Sequence, residues 1–212
     1  MAALTRLIVL ISGHGSNLQA ILDACASGEL YASVVAVISN KADAYGLTRA
    51  RHAGVEAICF PKFENESRRE YDSRLAICVG ELKPDLVVLA GWMRILSSNF
   101  LSAFPNRVIN LHPALPGLFP GTHAIQRAFE AYQRGEIDHT GVMVHLVPDE
   151  GVDNGPVLAT ETVPIHSNDT LESLEARVHE VEHQILVTIL KKLATEKNSL
   201  LAEILWPKSK KE

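Results

Sequence analysis

The sequence predicts an α/β protein of one domain: a mostly parallel twisted sheet with helices on both faces and an antiparallel addition near the C-terminal half. Three observations predict it. Apolar runs of strand length alternate with helix-period stripes through the first half, the pattern of right-handed βαβ crossovers. Residues 140–165 break that alternation with two strand-like runs about a turn-rich segment. No repeat, low-complexity tract or linker interrupts residues 1–212, a length that suits one large domain.

The elements follow in order. Residues 6–12 are a continuous apolar run, as expected of a strand buried on both faces. Gly13-His14-Gly15-Ser16-Asn17 follows, and Leu18, Ile21, Leu22 and Cys25 then mark a helix stripe. Residues 33–39 read as the second strand, with Asn40 at its mouth. A short helix around 44–53 ends at Gly54, and 56–60 is a third strand. Arg68 and Arg69 open a helix after Ser67. Tyr71, Leu75, Val79 and Leu82 form its stripe, and Pro84 stops it. Residues 85–91 are a fourth strand and 108–112 a fifth. Ile125, Ala128, Phe129 and Tyr132 give the next helix face. Runs at 140–147 and 157–165 read as an antiparallel hairpin or an edge addition. Asp169, with Glu172 three residues on, reads as the capping box of a long last helix. The core is expected over 6–195, with 207–212 a frayed tail.

Composition bounds the function. At 47% hydrophobic and 21% charged the chain is ordinary for a soluble globular protein. A net charge of −5 offers no electrostatic case for a nucleic-acid partner. No apolar run reaches the roughly 20 residues that span a membrane, and the start lacks the order of a secretory signal. Cys25, Cys59 and Cys78 have no motif spacing and read as small buried hydrophobes in a reducing cytosol, so a cytoplasmic location is expected.

The chemistry centres on 108–121. An apolar strand there ends at Asn110 and His112, because Pro113 cannot donate to a ladder. Residues two apart on a strand share a face, so the amide and the imidazole reach one substrate atom. The loop beyond holds Pro113, Pro116, Gly117, Pro120 and Gly121. In open α/β sheets ligands bind at this edge. Gly15, Ser16 and Asn17, between a strand and a helix, outline an anion cradle, although the third glycine of the dinucleotide motif is absent and a tight turn capped by Ser16 is the alternative. Asp149, Glu150 and Asp153 lie in turn chemistry; Asp153 is singled out because a working histidine needs a carboxylate to orient it. Met93, Arg94, Ile95 and Leu96 leave the fourth strand at the same edge, as a wall for a flat heterocycle or as packing on the next helix. Arg68 at a helix start opposes the macrodipole, which an anion there would relieve. His179 and His183 have zinc-like spacing but no third ligand, so no metal is expected.

Five segments then converge on one family. Residues 10–21 (Leu-Ile-Ser-Gly-x-Gly-Ser-Asn-Leu-Gln-Ala-Ile), 38–47, 89–96 (Leu-Ala-Gly-Trp-Met-Arg-Ile-Leu), 110–113 (Asn-Leu-His-Pro) and 152–157 (Val-Asp-Asn-Gly-Pro-Val) resemble, in order, the phosphoribosylglycinamide formyltransferases of purine synthesis. The resemblance implies their Rossmann-like formyltransferase fold. It implies a formyl group carried from 10-formyltetrahydrofolate to glycinamide ribonucleotide, with no metal and with Asn110, His112 and Asp153 as the catalytic set. Gly15, Ser16, Asn17 and Glu182 would hold the ribonucleotide. Arg68, Met93, Arg94, Ile95, Leu96, Asn110, Asp149 and Glu150 would line the folate site. The two small molecules are the expected partners of a monomer or homodimer.

The chain departs from the family pattern at Ala114-Leu115-Pro116-Gly117, where the proline stands one place early, in a longer 123–141 segment, in one extra residue at 149–153, and at His179, where some members have Gln or Lys. A hydrolase presenting water to the same formyl donor, and a module that only binds a phosphorylated ligand, are the alternatives. The Gly15–Asn17 loop argues against the first and the Asn110, His112, Asp153 set against the second. Because the chain begins at the first strand and ends soon after the last helix, no regulatory or RNA-binding domain is expected, and the short start and lysine-rich stop lead to the expectation of a free-standing protein.

Overall fold

The structure, a computed structural model, describes residues 3–195. Seven strands form one sheet in the order β3-β2-β1-β4-β5-β6-β7. They are β1 (Thr5–Ile11), β2 (Ala32–Ser39), β3 (Glu56–Cys59), β4 (Leu86–Leu89), β5 (Val108–His112), β6 (His139–Leu146) and β7 (Val157–Pro164). The first five are mutually parallel. β6 runs antiparallel to β5, and β7 antiparallel to β6. The expected hairpin is thus also the edge addition.

Among the described residues, six helices cover the sheet: α1 (Ser16–Ala26), α2 (Tyr45–His52), α3 (Arg68–Glu81), α4 (Ser98–Leu101), α5 (Ala124–Gln133) and α6 (Leu171–Thr195). Strand alternation divides the core in two. Leu7, Val9 and Ile11 point to a layer built with Leu18 and Ile21 of α1 and Leu174, Val178 and Leu186 of α6. Ile8 and Leu10 point to the opposite layer, with Tyr71, Leu75 and Val79 of α3 and Phe100 of α4. Burial on both faces is why β1 reads as an unbroken apolar run. Each such side chain contributes roughly 1.5–3 kcal/mol by leaving water.

Two expectations change, those for the α6 cap and for the cysteines. Thr170, not Asp169, caps α6: its hydroxyl accepts from Ser173 N at 3.2 Å while its own N–H donates to Ser173 Oγ at 3.0 Å. Asp169 instead pairs with Arg177, in the second turn of the helix. α4 carries no periodic signal at four residues and follows from packing. No cysteine is fully buried, and Cys59 is exposed because β3 is an edge strand. The 207–212 tail lies outside the described residues.

The two halves of the parallel sheet part between β1 and β4: from β1 the chain winds outward through β2 to β3, and from β4 outward through β5. That reversal opens a crevice at the strands' carboxyl ends. Every expected site residue lies on a segment leaving that edge or on an element packed beside it.

Candidate active site

The glycine loop is shaped by backbone. Gly15 takes a left-handed conformation (φ 75°) at the start of α1. A Cβ there would meet Gly46 Cα at 2.9 Å. Gly46 N–H in turn donates to Gly13 O at 3.1 Å, so α2 clamps the loop against β1. Ser16 is the first helical residue rather than a cap, and the first turn of α1 holds no acid and no side-chain cap bond. Its N–H groups therefore open toward the crevice with the positive end of the helix dipole. Asn17 Nδ2 donates to Glu182 Oε2 at 3.2 Å, bringing α6 to the loop across 165 residues of sequence. Glu182 is 4% exposed, and its partner His179 is 2.7 Å away. That hydrogen bond holds the His179 imidazole above its ordinary pKa.

The second wall is the strap 91–96. Gly91 (φ 80°) turns the chain off β4. Trp92 and Leu96 are buried, while Met93 and Ile95 stand 62% and 46% exposed. The Arg94 guanidinium sits 4.6 Å from the centre of the buried Tyr71 ring, so its side chain packs under the strap and only its backbone lies along the edge.

Between the two walls lies a polar cluster. β5 and β6 pair with Asn110 opposite His145. His145 Nδ1 is 2.8 Å from Leu146 O, and a carbonyl can only accept, so Nδ1 carries the proton. Nε2 then accepts from Asn110 Nδ2 at 3.0 Å. The amide's other hydrogen goes to Asp153 Oδ1, also at 3.0 Å. Asp153 Oδ2 accepts from Gly121 N at 2.8 Å and lies 3.3 Å from His112 Nδ1. His112 Nε2 donates to Phe119 O at 3.1 Å, and Arg127 Nη2 donates to the same carbonyl at 2.7 Å. Asp153 (φ 51°) and Phe119 (φ 46°) are both left-handed, a strain of about 1–2 kcal/mol per residue that the surrounding bonds must hold.

Burial sets the charges here. His112 is 4% exposed, and desolvation pushes its pKa below the ordinary value; the Asp153 carboxylate and the Phe119 carbonyl pull the other way and lose. Burial would raise Asp153, but the two imidazoles and the Gly121 N–H outweigh it and keep the carboxylate ionised.

The 149–153 turn closes the site. Asp149 Oδ1 accepts from Gly151 N at 2.8 Å and is spent on its own turn. Glu150 pairs with Arg68 at the start of α3 and accepts from Ser98 N at 2.9 Å. The structure thus gathers Asn110, His112 and Asp153 in one cluster, Gly15–Asn17 with Glu182 on one side, and Arg68 with Glu150 at the rim. His145 and Arg127, which take part in the same network, carried no motif. Among the described residues no group of three or more His, Cys, Asp or Glu is arranged to hold a metal.

Known proteins share this architecture. Residues 5–190 match the formyl transferase family model, and the chain belongs to that family. It is 47% identical over 201 residues to phosphoribosylglycinamide formyltransferase of Dictyostelium discoideum, covering 89% of this chain and 97% of the relative. To the Schizosaccharomyces pombe enzyme of that name it is 48% identical over 202 residues, covering 90% and 97%. The crystal structure of glycinamide ribonucleotide transformylase 1 from Symbiobacterium toebii superposes with a TM-score of 0.86 at 42% identity, over 92% of this chain and 90% of that one. Within the family the chain therefore stands with the phosphoribosylglycinamide formyltransferases, and it is a transferase.

Proposed function

We propose that the chain transfers the formyl group of 10-formyltetrahydrofolate to the glycyl amine of glycinamide ribonucleotide, with Asn110, His112 and Asp153 as its catalytic set. One observation carries the reading: an amide and an imidazole joined through one carboxylate stand between an anion-ready helix start and an exposed strap. The N–H groups of Gly15, Ser16 and Asn17 hold the phosphate end, and Glu182 accepts from the ribose hydroxyls. The backbone of Met93–Leu96 and of Asp149–Asp153 pairs with the pterin, between the Met93 and Ile95 side chains. Arg68 exchanges Glu150 for a carboxylate of the folate tail.

The substrate amine is the nucleophile, so no side chain need be one. Its lone pair forms the new C–N bond as the formyl C=O becomes an oxyanion. The attacking nitrogen becomes positive and sheds a proton toward Asp153, directly or through a water, and that proton passes to Nδ1 of His112, which burial keeps neutral at rest. The Nε2–H of the resulting imidazolium donates to the oxyanion. Collapse re-forms the C=O and expels the folate N10, which takes the Nε2 proton from His112 as it leaves. Two resting bonds must yield. Asn110 has both amide hydrogens engaged, so the oxyanion takes one over from Asp153 or His145. Phe119 O must release His112 Nε2.

The test is tetrahydrofolate formation, followed by absorbance, with the ribonucleotide added or withheld. Formation only with the amine present, abolished in His112→Ala, is expected. Equal formation without it would show a hydrolase and overturn the role given to the Gly15–Asn17 loop.

A further inference from the structure

Ser12 follows β1 where the sheet divides between β1 and β4. It is 4% exposed. Its N–H donates to Gly91 O at 3.0 Å. Its hydroxyl donates its single hydrogen to Asn40 Oδ1 at 2.6 Å and accepts Met93 N–H at 2.9 Å. One small side chain thus ties together the mouths of β2, β1 and β4. Because Asn40 takes the only hydrogen, the lone pairs of Oγ are left facing Met93, and the contact has a fixed direction.

We propose that Ser12 is a positioning residue for the folate side of the site, fixing the first peptide of the 93–96 strap. The inference rests on the strap being the pterin wall. Gly91 is left-handed, and its carbonyl takes the last backbone bond from the end of β1, so past it side chains guide the strap. Ser12 ties the strap's near end, and the buried Asp72 ties its far end through Ser97 N at 2.6 Å. The stretch between them holds a free peptide edge only if both ends stay fixed. The glycine loop begins one residue after Ser12 but has its own clamp in Gly46. Losing the hydroxyl therefore acts on the strap and spares the loop.

Steady-state kinetics of the full chain with both substrates test this. Ser12→Ala leaves Met93 N–H and Asn40 Oδ1 unpaired. It is expected to raise the KM for 10-formyltetrahydrofolate about tenfold, while the KM for the ribonucleotide stays within about twofold and kcat within about threefold. Ser12→Thr, which keeps the hydroxyl, returns the folate KM toward wild type. Where Ser12→Ala does not fold, as read by thermal unfolding, Asn40→Ala keeps the hydroxyl but frees its rotation and gives a smaller rise in folate KM alone. An unchanged folate KM, an equal rise in both KM values, or a fall in kcat alone overturns the proposal. Wild-type protein that transfers no formyl group overturns the reading of the site beneath it, a result distinct from normal transfer with an indifferent Ser12.

Discussion

Asn110 and Asp153, 43 residues apart, are joined by a 3.0 Å hydrogen bond from the Asn110 amide to a carboxylate oxygen. The bond fixes which end of the amide faces the crevice. It also holds the left-handed Asp153 within 3.3 Å of His112. Amide, carboxylate and imidazole therefore respond to change as a unit.

His112→Ala removes the proton carrier while leaving a small void under Phe119. Turnover is expected to fall about 10²–10⁴-fold, with a circular dichroism spectrum like that of wild type. A loss under tenfold in kcat would deny His112 its catalytic role.

The pH profile separates two groups. An α-amino group titrates near 7.7–8.0 and an ordinary histidine near 6.5, and burial puts His112 lower still. The rate is expected to fall through the amine's range as pH drops, and to fall again below about 6.5. Asp153→Asn removes the carboxylate that raises the His112 pKa. The lower limb then moves further toward acid as kcat declines, readable in the His112 ring resonances by NMR titration. A rate flat from about pH 5 to 9 contradicts an amine nucleophile acting with His112.

Gly15→Ala places a Cβ 2.9 Å from the Gly46 backbone at a φ of 75°. The left-handed conformation alone costs about 1–2 kcal/mol, and Gly46 is held in place by its own N–H bond to Gly13 O. The KM for the ribonucleotide is expected to rise about tenfold or more with the folate KM little changed. The opposite pattern would move the phosphate site elsewhere.

Asp169, paired with Arg177, has a carboxyl held far below its ordinary pKa. A depressed folded pKa adds stability above the unfolded value, near 3.9, and that stability is lost as pH falls through the folded pKa. Asp169→Asn is expected to lower the urea midpoint at pH 7 and to match wild type increasingly closely in strong acid. A midpoint difference that does not shrink with acid would assign the effect to the loss of shape rather than charge.

Much of the site was legible locally. Asn110 and His112 share a face because strands have a period of two. Pro113 announces the strand's end, and the glycines of 13–15 announce a turn before a helix. His145 was not legible. It alternates with Val144 and Leu146 as any outward strand residue does, and only the β5–β6 register sets it opposite Asn110. The course of the Arg94 side chain was not legible for a related reason: the motif marks the strap, but only packing turns the guanidinium under it onto Tyr71.

The sequence by itself determined the α/β order, the two-faced burial of β1, the residue types of the candidate site and the family, because each is written in short-range periodicity or contiguous motifs. Only the tertiary structure decided which residues meet: Asp153 with Asn110 and His112, Glu182 with Asn17, Arg68 with Glu150, and Ser12 with Met93. The reason is physical. Such contacts depend on strand register and on the meeting of elements 43 to 165 residues apart, and those are fixed by packing the whole core at once rather than by any local segment.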